Sequence, residues 1–244
     1  MSETVVIDRR FCGPPDSANG GYACGLLAAR VGNPAEVTLR QPPPLDRPLT
    51  VEVSDDGARL LDGETLVAEA RAVPTLELDV PDGVPFPVAE TAGAGSWINS
   101  TPHDHPFPTC FVCGPDREPG DGMRVFVGPV AGRAGLYAAP WVPDRSLAPP
   151  DAGGVVSPEY VWAALDCSGG IGGLYDIDAE HGPYVLGRLT AEIVAPVAAG
   201  ERCVALGWQI GASGRKLETG SAVYAADGTL AGRARATWIA IGGG

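Results

Sequence analysis

The sequence is short of positive charge: 17 Lys and Arg stand against 30 Asp and Glu, for a formal net charge of -13. That balance excludes non-specific binding to nucleic acid or to an anionic membrane surface, and an anionic ligand would need a local basic patch. Long apolar runs are also missing. No stretch approaches the length of a membrane span. The opening Met1-Ser2-Glu3-Thr4-Val5-Val6 has no charged segment leading into an apolar one. A cytoplasmic protein with no nucleic-acid or membrane partner is the expectation. Glycine patterns of the Walker and Rossmann kinds are absent. Aromatic residues make up only 7% of the chain while alanine is abundant, which suits close packing of small side chains. The six cysteines, Cys12, Cys24, Cys110, Cys113, Cys167 and Cys203, are scattered through a chain with ample material for its own core. Free thiols are expected rather than a disulfide framework.

What is present is a wealth of turn formers, 34 Gly and 24 Pro, between short apolar runs. One stretch organises the rest, from Gly153-Gly154 to Asp166. Ser157 suits a helix cap and Pro158 its first turn. Tyr160, Val161, Ala164 and Leu165 share one face at helical spacing, with Trp162 and Ala163 beside them. The spacing predicts a buried helix over 157–165 that ends in a carboxylate, Asp166, followed by a glycine-rich turn, Cys167-Ser168-Gly169-Gly170. A carboxylate in that place costs free energy unless it is paired, hydrogen-bonded or protonated. Asp166 is therefore a functional candidate; the alternative is that it only hydrogen-bonds the turn after it.

A second helix is expected over 20–31. Asn19 is a good N-cap, and Gly20 and Gly21 leave the first N–H groups open to an approaching group. Gly32-Asn33-Pro34 ends it. Strands are expected over 5–8, 36–40, 50–53, 59–61 and 66–73, with hairpin turns at Asp55-Asp56-Gly57 and Asp62-Gly63. Past residue 108, strands are expected over 123–127, 135–139, 186–193, 202–211, 216–225 and 230–241. Each half reads as strand, buried helix, antiparallel meander. The Asp62–Ala72 and Asp227–Ala236 stretches echo one another. The expectation is an internal duplication: a degenerate unit over 1–73, a linker over 74–108 and a second unit over 109–244. The linker is rich in Pro, Gly and Ala and long for a loop inside a compact domain.

One buried helix wrapped by an antiparallel sheet, occurring twice, resembles the double hotdog fold of acyl-CoA thioesterases. Cys110-Phe111-Val112-Cys113-Gly114-Pro115, running on through Gly122-Met123-Arg124-Val125, is similar to the opening of phenylacetate-pathway-type hotdog thioesterases. Gly153-Gly154 before a helix ending in Ala163-Ala164-Leu165-Asp166 resembles their catalytic helix. The resemblance implies an α+β double hotdog: two antiparallel sheets, each wrapped around a central helix, joined by a long linker. It implies hydrolysis of an acyl-CoA or other acyl thioester, with no cofactor, and leaves a homo-oligomer open.

Carried over to this chain, the resemblance makes Asp166 the base or nucleophile. Gly20 and Gly21 supply amides to the substrate carbonyl, with Asn19 orienting the carbonyl or water. Thr190 stands where a strand threonine positions the catalytic water in the acyl-CoA thioesterase II type. Two features depart from the pattern. Where such enzymes carry Ser or Thr one turn beyond the acid, this chain has Gly170, and Ser168 is the nearest hydroxyl. The last strand, Arg233-Ala234-Arg235-Ala236-Thr237-Trp238, lacks the glutamine of that type. Both favour the competing reading, a non-catalytic acyl-binding protein that keeps the tunnel. The first helix has no Asp or Glu between Gly20 and Val31, so one site is expected and not two.

His103, His105, Cys110 and Cys113 offer four nitrogen and sulfur donors of the kind that hold structural zinc. Their spacing is unusual for a zinc finger and the cysteine pair belongs to the thioesterase-like opening, so no metal is assigned. A hydratase of this fold would need a His one turn after the acid. Position 171 is Ile, and the His further on is His181. Cys167 reads as a small buried residue, and Arg215 and Lys216 as part of a solvated hairpin turn.

Overall fold

The computed structural model describes residues 2–177 and 182–242. The strands β1 (Ser2–Val6), β2 (Ala35–Leu39), β3 (Pro48–Ser54), β4 (Gly57–Asp62), β5 (Thr65–Ala72), β6 (Gly128–Pro129), β7 (Tyr137–Trp141), β8 (Tyr184–Ile193), β9 (Cys203–Ser213), β10 (Lys216–Tyr224) and β11 (Leu230–Ala240) build one antiparallel sheet. Their spatial order is β1-β3-β4-β5-β2-β8-β11-β10-β9-β7-β6. The two expected sheets are thus a single one. β2 pairs with β8, Ala35 opposite Ala191 and Val37 opposite Leu189. All four side chains are fully buried, and an unpaired edge there would leave a row of buried N–H and C=O groups without partners.

Two helices, α1 (Gly20–Ala28) and α4 (Pro158–Leu174), pack on one face of this sheet and against each other. The main core lies between them and the strands, with Leu27, Val37, Leu165, Leu189 and Leu217 at its centre. α4 runs well past its expected end at 165, so Asp166 lies mid-helix. Four glycines in the last turns argue locally for a turn. Packing overrides that tendency, because the sheet comes too close for side chains. A Cβ on Gly170 would lie 2.4 Å from the Trp238 ring, and one on Gly173 2.4 Å from Thr219. Ser157 makes no capping side-chain bond, whereas Pro158 does occupy the first turn.

The 74–108 segment, expected as a linker, contains α2 (Phe86–Ala94) and α3 (Trp97–Ser100). α2 covers the outer face of β7 and β9 and closes a second, smaller core with Ala89, Ala92, Ala138 and Leu206. The expected strand over 123–127 is not in the sheet. Its amides turn to a neighbouring loop instead, Met123 N–H to Phe111 O at 2.8 Å and Val125 N–H to Val112 O at 2.9 Å. Among the described residues, no helix is long and apolar enough to cross a membrane.

Candidate active site

Asn19 sits just ahead of α1, and its Oδ1 accepts the Tyr22 N–H at 2.9 Å. This N-cap bond satisfies one of the unpaired amides of the first turn. It also points the other end of the amide at α4. Asn19 Nδ2 donates to Asp166 Oδ2 at 3.3 Å and lies 3.4 Å from Cys167 Sγ. The Gly21 N–H donates to the same Oδ2 at 2.7 Å. A carboxylate therefore faces the positive end of a helix contributed by the other half of the chain.

Glycine makes this approach feasible. A Cβ on Gly21 would stand 2.3 Å from Asp166 Cβ and 2.6 Å from Trp162 O. One turn later, a Cβ on Gly25 would stand 2.5 Å from Glu159 Cα. The pair lets α1 rest directly on the backbone of α4. With Gly21 committed to Asp166, Gly20 is the other glycine of the first turn and lies on the cavity wall, and a first-turn N–H has no acceptor within its own helix.

Asp166 is 2% exposed, and its Oδ1 has no hydrogen-bond partner among the described residues. Burial pushes its pKa up to about 8; the Gly21 and Asn19 bonds oppose that shift and the neighbouring Cys110 adds to it. The carboxyl lies on the wall of a cavity of about 750 Å³. Leu39, Trp97, Ile171, Leu174, Leu186 and Trp238 make most of that wall apolar, while Asn19, Asp166 and the thiols of Cys110, Cys113 and Cys167 supply polar groups. Such a cavity suits an apolar chain ending in a polar, reactive group.

The remaining expected residues lie elsewhere. Thr190 is not on the cavity wall; its Oγ1 approaches Glu36 Oε2 at 3.5 Å. The cause is a bulge between β8 and β11: Thr237 faces Arg188 and Trp238 faces Leu186, so Gly187 is the extra residue. The alternation of β8 shifts there, both Leu186 and Leu189 turn inward, and Thr190 turns outward. Ser168 is also off the cavity, with its Oγ donating to Ala164 O at 2.7 Å. Leu186 and Trp238 are among the strand residues that do reach the cavity, together with Leu39, Tyr184, Val185, Gly187 and Ile239. Sequence reading missed them, and Gly187 inside an otherwise apolar strand was the available signal.

His103 is exposed. His105 is buried, stacked on Trp97, and accepts the Phe107 N–H on Nδ1 at 3.0 Å. Among the described residues the cluster able to hold a metal is Cys110, Cys113 and Cys167; the His103, His105, Cys110 and Cys113 set, to which the sequence assigns no metal, is not such a cluster. All six cysteines are free thiols. Arg215 donates to Ala240 O, away from the cavity. His181 lies outside the described residues.

No family model and no curated sequence matches the chain. Several solved structures resemble it over nearly their whole length. A TesB protein of Mycobacterium avium subsp. paratuberculosis aligns at a TM-score of 0.64 with 10% identity, over 99% of this chain and 93% of that one. The acyl-CoA thioesterase II TesB2 of Mycobacterium marinum aligns at 0.59 with 14% identity, over 98% and 93%. A hot dog fold protein of Alicyclobacillus acidocaldarius aligns at 0.60 with 13% identity, over 100% and 94%. At these identities the likeness is one of fold, and the fold is the hotdog.

Proposed function

We propose that this hotdog-fold chain is a double-hotdog hydrolase of acyl thioesters of the acyl-CoA thioesterase type, with Asp166 as its general base. The observation that carries the reading is the 2.7 Å bond from the α1 N-terminus, at Gly21, to a fully buried carboxylate on α4, on the wall of an apolar cavity. Thioester hydrolysis needs a base beside a developing oxyanion. In the proposed cycle Asp166 takes a proton from a water that attacks the thioester carbon. The Gly20 N–H donates to the carbonyl oxygen as it becomes negative, while Asn19 Nδ2 orients the carboxylate. The C–S bond then breaks, and the departing thiolate takes the proton back from Asp166. The acyl-CoA thioesterase II name of the Mycobacterium marinum neighbour supports an acyl-CoA as substrate. The apolar wall supports an aliphatic or aromatic acyl group.

The second reading is a non-catalytic acyl-group binder. It is favoured by the apolar Leu186 and Trp238 on the cavity wall and by Thr190 lying off it. Thiol release from short, long and aromatic acyl-CoAs separates the two readings. Activity in the wild type that disappears in a folded Asp166→Ala variant supports the hydrolase. Acyl-CoA binding with no turnover of any thioester moves the assignment to the binder.

A further inference from the structure

Three thiols meet beside Asp166, and the hydrolase reading does not use them. Cys110 and Cys113 come from the loop ahead of β6, and Cys167 from the middle of α4. All are buried, and their sulfurs lie within 4.8 Å of one another. The Cys113 and Cys167 sulfurs are 3.5 Å apart, and those of Cys110 and Cys167 3.9 Å. The loop that brings the pair together is tightly wound. Gly114 N–H donates to Cys110 O at 2.9 Å. A Cβ on Gly114 would stand 2.5 Å from both the nitrogen and the oxygen of Cys110. Asn19 Nδ2 lies 3.4 Å from the Cys167 sulfur and 3.9 Å from that of Cys110.

We infer that Cys110, Cys113 and Cys167 form a three-thiolate site for a thiophilic divalent cation of the zinc class, with its fourth position opening into the cavity. Zinc holds thiolates at about 2.3 Å, so tetrahedral angles set the sulfur–sulfur edges near 3.8 Å. The two measured separations bracket that value. A disulfide would need two of the sulfurs to close to about 2.05 Å. The C-x-x-C pair plus one distant cysteine is a common zinc-ligand pattern. A divalent ion with three thiolates leaves one net negative charge. Asn19 Nδ2, beside two of the sulfurs, is the donor that stabilises it, as outer-shell hydrogen bonds do at metal centres.

His105 does not complete the set. Its Nδ1 accepts an amide proton, so the ring proton of the neutral imidazole is on Nε2 and neither nitrogen offers a lone pair. All three cysteines line the cavity, so water from the cavity fills the fourth place. Three protein ligands with one open position is the arrangement of reactive zinc rather than structural zinc.

The test uses the full chain, reduced and stripped with a chelator, titrated with Co²⁺ and then with Zn²⁺. The expected result is one equivalent of Co²⁺, with the thiolate charge-transfer band and intense visible bands of a tetrahedral site, displaced by Zn²⁺. Cys167→Ala and Cys110→Ser, checked for native circular dichroism, should weaken binding more than about a hundredfold, beyond the usual outer-shell effect. Cys203→Ala should bind as the wild type does. Absence of a saturable band in the wild-type protein overturns the site. So does a band that survives Cys167→Ala, or a reduced protein that binds no metal and forms a Cys113–Cys167 disulfide on mild oxidation. Thioester turnover is not a readout here, so failure of the metal site and failure of the hydrolase reading are separate results.

Discussion

In α1 the ninth residue is Ala28; in α4 it is Asp166. At the opposite ends the contrast runs the other way. α1 begins with Gly20 and Gly21, whose amides are open to a partner from outside the helix, while α4 begins with Pro158, which has no N–H, and Glu159, whose side chain occupies the space beside Gly25. Each helix therefore brings half of one site. A second site, assembled from the α4 start and the α1 end, lacks both its carboxylate and its first amide. The same contrast explains the electrostatics. The Asp166 carboxyl is fully buried and raised to about 8, and what keeps its charged form accessible is the α1 N-terminus and its Asn19 cap.

The sharpest way to break this comparison is to remove the charge while keeping the shape. Asp166→Asn should lower thiol release from a good acyl-CoA substrate by roughly a thousandfold with the fold retained. Unchanged turnover would remove Asp166 from the chemistry. Next come the two glycines of the helix crossing. Gly21→Ala and Gly25→Ala both crowd α4, so each should destabilise the protein by about 1–3 kcal/mol in denaturant melts. Only Gly21→Ala also disturbs the amide at Asp166, and only it should reduce kcat in the folded fraction. Equal losses of kcat would mean that helix spacing matters and the Gly21 amide does not.

The third prediction concerns pH. A base whose pKa is raised to about 8 is protonated at neutral pH, so kcat/KM should climb with pH and level off above about 8. Stability should move in the opposite sense. The folded state holds the proton more tightly than the unfolded chain, so this group's stabilising effect is complete below the ordinary carboxylate range and is lost as pH rises through about 8. The Tm advantage of Asp166→Asn over the wild type should therefore widen from about pH 5 to about pH 9. A pH-independent gap would show that the carboxyl titrates normally. The smallest effect belongs to Thr190→Val. With its hydroxyl facing Glu36, the change should shift stability by less than about 0.5 kcal/mol and leave kcat within about twofold. A large loss of kcat would mean that Thr190 reaches the substrate after all.

Much of the local structure was legible. Asn19 followed by two glycines announces a capped helix with an open N-terminus, and Asn19 does cap α1. The apolar face from Tyr160 to Leu165 announces a buried helix carrying a carboxylate, and Asp166 is buried. Strand positions in the meanders followed from alternation and hairpin glycines. The errors have a common origin. Gly169, Gly170, Gly172 and Gly173 read locally as a helix stop, yet they extend α4 because Trp238, Thr219 and Gly207 press against it. Thr190 takes its direction from a bulge that requires the partner strand to be known. Segment 74–108 lacks the periodicity of a core element, yet α2 covers a sheet face that only exists once β7 and β9 are paired.

The sequence by itself determined most of the sheet strands, where α1 and α4 begin, where α1 is capped, and that a carboxylate is buried on α4. Those properties follow from backbone preference and side-chain period, which act over a few residues. Only the tertiary structure decided that the strands join into one sheet, that Gly21 meets Asp166, that Thr190 faces away, and that Cys167 joins a pair more than fifty positions earlier. These depend on the separations left when two helices and a sheet close on a shared core, and packing at that density is set by all the contacting surfaces together.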